Sequence, residues 1–259
     1  MKISVNGLMT SNRPVLEICV ESLDRAMAAE RGGADRIELC ADLSSGGVTP
    51  DPALMRDVRR NLHIPIHVLI RPRAENYFCP DSDFEAMRRD ICRAKELGSD
   101  GVVLGILQPG LTVDRERTAA LVELAHPLPV TFHRAFDLCA DLMSALEAVI
   151  ETGAQRILTS GGKARASDGL TALSALVTRA GDRIVIMPGG GVRASNVRQV
   201  LRQSGAREVH TSLVSNLRAA SESRVPAKEP GLEAGEFEIR VRKFLETAQE
   251  SSSAPLCKT

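Results

Sequence analysis

The sequence predicts an α/β protein of the single (β/α)8 class, a TIM barrel, and three observations predict it. Eight strand-like runs begin near residues 15, 36, 64, 101, 129, 156, 183 and 207 and alternate with helical patterns. A glycine, a small residue, two further residues and then a β-branched residue open every even-numbered strand: Gly33-Ala34-Asp35-Arg36-Ile37, Gly98-Ser99-Asp100-Gly101-Val102, Gly153-Ala154-Gln155-Arg156-Ile157 and Gly205-Ala206-Arg207-Glu208-Val209. The chain has 259 residues, and one such barrel routinely uses about 250. The expected organisation is one domain over residues 1–259, with the barrel proper at about 15–250 and a flexible tail at 251–259.

The first two strands are Leu16-Glu17-Ile18-Cys19-Val20 and Ile37-Glu38-Leu39-Cys40. Side chains alternate along a strand, so the aliphatic residues share one face while Glu17, Cys19, Glu38 and Cys40 share the other. A covering layer of helices takes the aliphatic face, which turns the acids and thiols into the barrel. Ser22 can cap the first helix, Leu23, Ala26, Met27 and Glu30 step along it, and Gly32-Gly33 end it. The odd strands enter through Pro65, Pro129 and Gly181-Asp182. The loops after the strands are more elaborate than those before them, notably Ser44-Ser45-Gly46-Gly47, residues 71–80 and residues 214–236, as expected where a barrel places its working site. Phe237, Val241, Phe244 and Leu245 mark the eighth helix.

Composition excludes several classes of partner. Lys+Arg and Asp+Glu both number 33, leaving no basic field for nucleic acid or an anionic membrane. One tyrosine and no tryptophan offer no stacking platform for single strands. No apolar run reaches signal-peptide or membrane-spanning length. Six cysteines, at 19, 40, 79, 92, 139 and 257, form no Cys-x-x-Cys pair and read as reduced thiols, with Cys257 incidental in the tail. The expectation is a cytoplasmic protein that meets a small ligand, and a homo-oligomer is compatible with this composition.

The same parity rule turns His67, Leu69 and Arg71 inward from the third strand, Thr131 and His133 from the fifth, and His210 and Ser212 from the eighth; it leaves strands six and seven ambiguous. Singly, a buried cysteine is a small hydrophobe and a core histidine is hydrogen-bonded filler. Together, two acids, two thiols, three histidines and an arginine displace the Val, Ile and Leu that normally fill barrel layers. A one-residue stagger would set the Glu17 and Glu38 backbones about 6 Å apart, so a counter-charge is required. Arg71, Arg73 or Arg134 is the expected source, the alternatives being a protonated acid or a bound cation; a closed ion-pair network is the purely structural alternative. Ser160-Gly161 after strand six and Gly189-Gly190-Gly191 after strand seven, the latter before a helix that Ser195 or Asn196 could cap, are candidates for an anion or phosphate loop or for a tight barrel corner.

The motifs Leu16-Glu17-Ile18-Cys19, Gly33-Ala34-Asp35-Arg36-Ile37-Glu38-Leu39-Cys40, Ile70-Arg71-Pro72-Arg73, Thr131-Phe132-His133-Arg134-Ala135-Phe136-Asp137, Leu158-Thr159-Ser160-Gly161 and Met187-Pro188-Gly189-Gly190-Gly191 resemble the CutC family, in that family's order, from about Val15 to Leu213. The resemblance implies a cytoplasmic TIM barrel linked to copper homeostasis, with Cu(I) proposed at the barrel cysteines, here Cys19 and Cys40. Ala74-Glu75-Asn76-Tyr77 stands where the family usually has two glycines and an acid, and Gln108-Pro109-Gly110-Leu111 replaces a more acidic loop.

Two functions follow. In the first, Cys19 and Cys40 bind Cu(I), with His67 or Met187 as additional donors. In the second, an enzyme acts on a small phosphorylated or anionic metabolite: Glu17 or Glu38 exchanges protons with His133 or His210, Arg71 and Arg134 clamp the anion, and Gly189, Gly190 and Gly191 hold its phosphate. A divalent-metal enzyme using the glutamates and histidines is a third reading.

Overall fold

The computed structural model describes residues 13–213 and 233–249. Eight parallel strands, β1 (Val15–Val20), β2 (Arg36–Leu39), β3 (Ile66–Leu69), β4 (Gly101–Leu104), β5 (Val130–Phe132), β6 (Arg156–Thr159), β7 (Val185–Pro188) and β8 (Glu208–Thr211), form a nearly closed barrel in the order β7-β6-β5-β4-β3-β2-β1-β8. Helices α1 (Leu23–Arg31), α2 (Pro52–Asn61), α3 (Asp81–Glu96), α4 (Arg115–Ala125), α5 (Leu142–Glu151), α6 (Leu170–Ala180), α7 (Val197–Ser204) and α8 (Ala234–Gln249) alternate with them. Every strand starts within two residues of its expected position. The expected loop at 214–236 lies outside the described residues as far as 232, as do the tail and Cys257.

Local chemistry sets the joints. Ser22 caps α1 by accepting from the Arg25 amide at 3.3 Å. At the far end of α1, a Cβ on Gly32 would fall 2.6 Å from the Val241 side chain, so the missing side chain is what lets α8 close against α1. Phe237, Val241 and Phe244 are fully buried there, as the eighth-helix pattern requires. Asn196 stands at the N-cap of α7 without capping it: its Oδ1 accepts from the Arg193 amide at 2.8 Å and its Nδ2 donates to the Gly191 carbonyl at 3.0 Å. No helix among the described residues is long and apolar enough to cross a membrane.

The alternation rule holds. Leu16, Ile18, Val20, Ile37, Leu39, Val68, Val102, Val130, Ile157 and Val209 belong to the core between strands and helices. Cys19, Cys40, Leu43, Leu69 and Val103 form a separate small cluster. The side chains left to the barrel interior are mostly polar, and they build the candidate site.

Candidate functional site

Register decides which interior groups meet. β1 and β2 pair Glu17 with Arg36 and Cys19 with Glu38, so Glu17 and Glu38 are offset by two residues rather than one. Their backbones are then about 8 Å apart, not 6 Å. The counter-charge also differs from the expected one. Arg36 Nε donates to Glu17 Oε2 at 2.5 Å, Arg36 Nη2 reaches Glu208 Oε2 at 2.8 Å, and Arg156 Nε donates to Glu208 Oε2 at 2.6 Å. Arg71 donates only to backbone carbonyls, Arg73 pairs with Asp83, and Arg134 pairs with Asp137. Arg36 and Glu208 share the parity of Glu38 and His210, so the alternation rule carried to the first residue of β2 and of β8 would have found them, whereas Arg156 opens β6, whose parity the sequence leaves ambiguous.

Above this layer Glu17, Glu38 and His210 form one unit. His210 Nδ1 donates to Glu17 Oε1 at 2.8 Å and lies 3.6 Å from Glu38 Oε2, while His67 Nδ1 is 3.9 Å from Glu17 Oε2. Burial works against an ionised Glu17, yet Arg36, His210 and His67 together hold its carboxyl well below the usual range. Glu38 goes the other way. Burial pushes it up to about 7, Glu17 adds to the rise, and His210 and Arg36 only partly oppose it. Burial also opposes a charged His210, but the bond to Glu17 and the two acids raise its pKa. His67 is lowered to about 4 by burial, against the pull of Glu17. Its ring fits because β4 begins with glycine: a Cβ on Gly101 would meet the imidazole at 2.5 Å.

The thiols follow directly. Cys40 Sγ donates to the Val20 carbonyl at 3.6 Å, and Cys19 Sγ lies 3.5 Å from Cys40 Sγ in a contact where either sulfur can donate. Both are buried and free. Ligand atoms of Cys19, Glu38 and His210 all lie within 4.8 Å of one another. The bond to Cys40, burial and the neighbouring acids raise the Cys19 thiol well above its ordinary pKa. Met187 is turned to Arg36 instead, its Sδ accepting from Nη2 at 3.5 Å.

The remaining candidates gather elsewhere. His133 lies against Tyr77, with ring centroids 4.9 Å apart, and Tyr77 in turn stacks beneath Arg71. Arg134 Nη2 donates to Ser160 Oγ at 2.9 Å and the guanidinium lies over Gly190, where a Cβ would fall 2.9 Å from Cζ. The amide donors of Ser160, Gly161 and Gly162 after β6, and of Gly189 after β7, are already used. Ser160 and Gly162 donate to the Asp137 carboxylate at 2.9 and 3.0 Å, Gly161 donates to Thr159 Oγ1 at 2.9 Å, and Gly189 donates to the Thr159 carbonyl at 2.9 Å. Asp137 thus supplies from within the chain the negative charge that an anion loop at Ser160 and Gly161 would take from a ligand. In Phe-His-Arg-Ala-Phe-Asp the acid is as much a part of this site as the histidine and arginine.

Residues 14–215 match the family model described as the CutC family. A human protein described as a copper homeostasis protein cutC homolog is 45% identical over 202 residues, covering 78% of this chain and 74% of the relative. A CutC family protein from Xanthomonas campestris pv. campestris is 48% identical over 197 residues, covering 76% of this chain and 82% of its own length. A solved CutC from Streptococcus agalactiae superposes with a TM-score of 0.74 at 33% identity, covering 77% of this chain and 98% of that one.

Proposed function

Because this chain belongs to the CutC family, we propose that it serves copper homeostasis by binding Cu(I) through Cys19 and Cys40, in the reducing cytoplasm where both thiols stay free. The observation that carries this reading is the pair of buried sulfurs 3.5 Å apart beside Glu38 and His210. Cys40 lies two residues beyond Glu38, the register partner of Cys19. That offset separates the two Cα atoms by about 8 Å, beyond the ~4.4–6.8 Å a disulfide spans, so the sulfurs are better placed to share an ion than to oxidise to each other. Thiolate is the soft donor Cu(I) selects, and because Cys19 is held protonated, uptake releases protons and tightens as pH rises. The test is a Cu(I) competition titration against a chromophoric chelator. Replacing both cysteines by serine removes most of the affinity, whereas Glu38→Gln changes it little; unchanged affinity in the double serine variant defeats the reading.

A second reading, an enzyme that moves a proton on a small substrate, is favoured by one observation. Two carboxylates flank His210 and their pKa values diverge, Glu17 downward and Glu38 up to about 7. Such divergence is how an acid and a base are set apart in one site. Here Glu38 is the proton carrier, while Glu17 orients His210. Glu38→Gln then abolishes turnover and the double serine variant does not.

A further inference from the structure

Arg71 carries a buried positive charge that the described chain does not neutralise. The residue is 8% exposed. Its Nη1 donates to the carbonyls of Gly46 and Gly47 at 3.1 and 2.9 Å, its Nη2 donates to the Ala74 carbonyl at 2.7 Å, and its Cζ stands 4.7 Å from the centre of the Tyr77 ring. Every one of these partners is neutral. Arg36, Arg73, Arg134 and Arg156 each have a carboxylate within ion-pair distance, and among the described residues Arg71 has none. Its Nε has no hydrogen-bond partner. Buried charges are ordinarily paired, and a guanidinium pinned by three carbonyls keeps its orientation while waiting for the missing anion.

The surroundings fit an anion. His133 meets the edge of Tyr77 with ring centroids 4.9 Å apart, and a Cβ on Gly105 would fall 2.6 Å from its Nδ1, so the ring occupies space that glycine leaves. Its Nδ1 accepts from the Ala135 amide at 3.3 Å, which puts the proton of the neutral ring on Nε2. Burial and the Arg71 charge lower its pKa to about 3, so it adds a donor and no competing charge. Arg71 and His133 follow β3 and β5, at the carboxyl end of the barrel where this fold binds its ligands.

We propose that Arg71, with His133 and Tyr77, forms a binding subsite for the oxyanion of a small molecule, a phosphate or a carboxylate, separate from the thiol pair. The subsite requires neither copper at the cysteines nor catalysis at Glu38. It differs from the loop after β6, where Asp137 already occupies the Ser160 and Gly162 amides.

Tyr77 is the one tyrosine of a chain without tryptophan, so tyrosine emission reports this stack directly. The experiment titrates the full chain with inorganic phosphate and, separately, with acetate, at an ionic strength held constant with chloride. The expected result is a saturable change in Tyr77 emission with at least one of them, and the anion that gives the tighter curve identifies the source. Arg71→Lys weakens it by about tenfold or more, since the point charge of lysine loses both the fork and the stack. The Cys19→Ser, Cys40→Ser double variant retains it, which keeps this result apart from that of the copper titration. Absence of a saturable response to both anions, or an unchanged affinity in Arg71→Lys, overturns the proposal. Should Arg71→Lys not fold, the arginine Nε–H resonances of the ¹⁵N-labelled wild type decide: a saturable shift of a solvent-shielded Nε–H supports the subsite, and an unmoved set overturns it.

Discussion

The two ends of the barrel interior treat charge in opposite ways. At the amino end, Glu17, Arg36, Glu208 and Arg156 satisfy one another, and Arg156 Nη1 reaches on to Thr131 Oγ1 at 3.3 Å. Toward the carboxyl end, Glu38 Oε2, His67 Nδ1 and Arg71 Nε are buried without a hydrogen-bond partner. Folding alone accounts for the closed network, because each ion there has its counter-ion. It does not account for the open groups, each of which costs stability unless something binds. The contrast separates residues whose charges are closed within the barrel from residues that keep unpartnered polar atoms, although both sets are polar and interior.

The largest expected effect tests the closed end. Arg36→Met keeps the side-chain bulk but leaves Glu17 with only histidine partners and Glu208 with Arg156 alone. Breaking a buried pair in this way costs about 3–5 kcal/mol, read as a lower urea midpoint. A loss below about 1 kcal/mol would erase the distinction between the two ends.

The open end makes a pH prediction. Glu38 is raised in the folded chain from 4.5 to about 7. Between those values the unfolded chain has released the proton and the folded chain still holds it, so stability falls as pH rises through the window. The full shift corresponds to about 3 kcal/mol, shared in practice with His210 through their coupling. Glu17, whose pKa is lowered, acts in the opposite sense and below 4.5, outside this window. His67 and His133, lowered to about 4 and about 3, favour stability with rising pH over the same window in both proteins, so the test is the difference: in urea melts from pH 4.5 to 7.5 the wild type should lose stability relative to Glu38→Gln as pH rises. Parallel curves would mean that Glu38 is ionised throughout and its burial compensated.

Much of this was legible from local pattern. Strand positions, the inward face of β1 and β2, and the inward histidines all follow from alternation within a strand, which needs no knowledge of neighbours. Pairing was not legible, because register belongs to two strands at once. Opposing Cys19 to Glu38 moves Glu17 beside Arg36 and releases Arg71 from the neutralising role assigned to it. The loop after β6 misled for a related reason: the Ser160 and Gly162 amides serve Asp137, an acid 23 residues before Ser160 that only the closed barrel brings near, and Gly161 serves Thr159. Gly101 and Gly105, which make room for His67 and His133, are silent in the sequence because they look like ordinary strand-end residues.

The smallest expected effect sharpens the contrast within a single motif. In Arg71-Pro72-Arg73 the first arginine is buried and lacks an acid, whereas the second has a side chain 48% exposed and meets Asp83 Oδ2 through Nη2 at 2.5 Å. An exposed pair in water contributes little, since solvent screens the attraction and ordering two long side chains offsets it. Arg73→Ala should leave the melting temperature within the scatter of repeat measurements. It should also leave the Tyr77 response to phosphate or acetate unchanged, because the charge that faces Tyr77 belongs to Arg71. The decisive comparison sets Arg73→Ala beside Arg71→Lys in the same titration. If removing the exposed arginine abolishes the response while Arg71→Lys preserves it, the anion is drawn to the rim by Arg73 and the buried cation next to Tyr77 is only a clasp for the carbonyls of Gly46, Gly47 and Ala74.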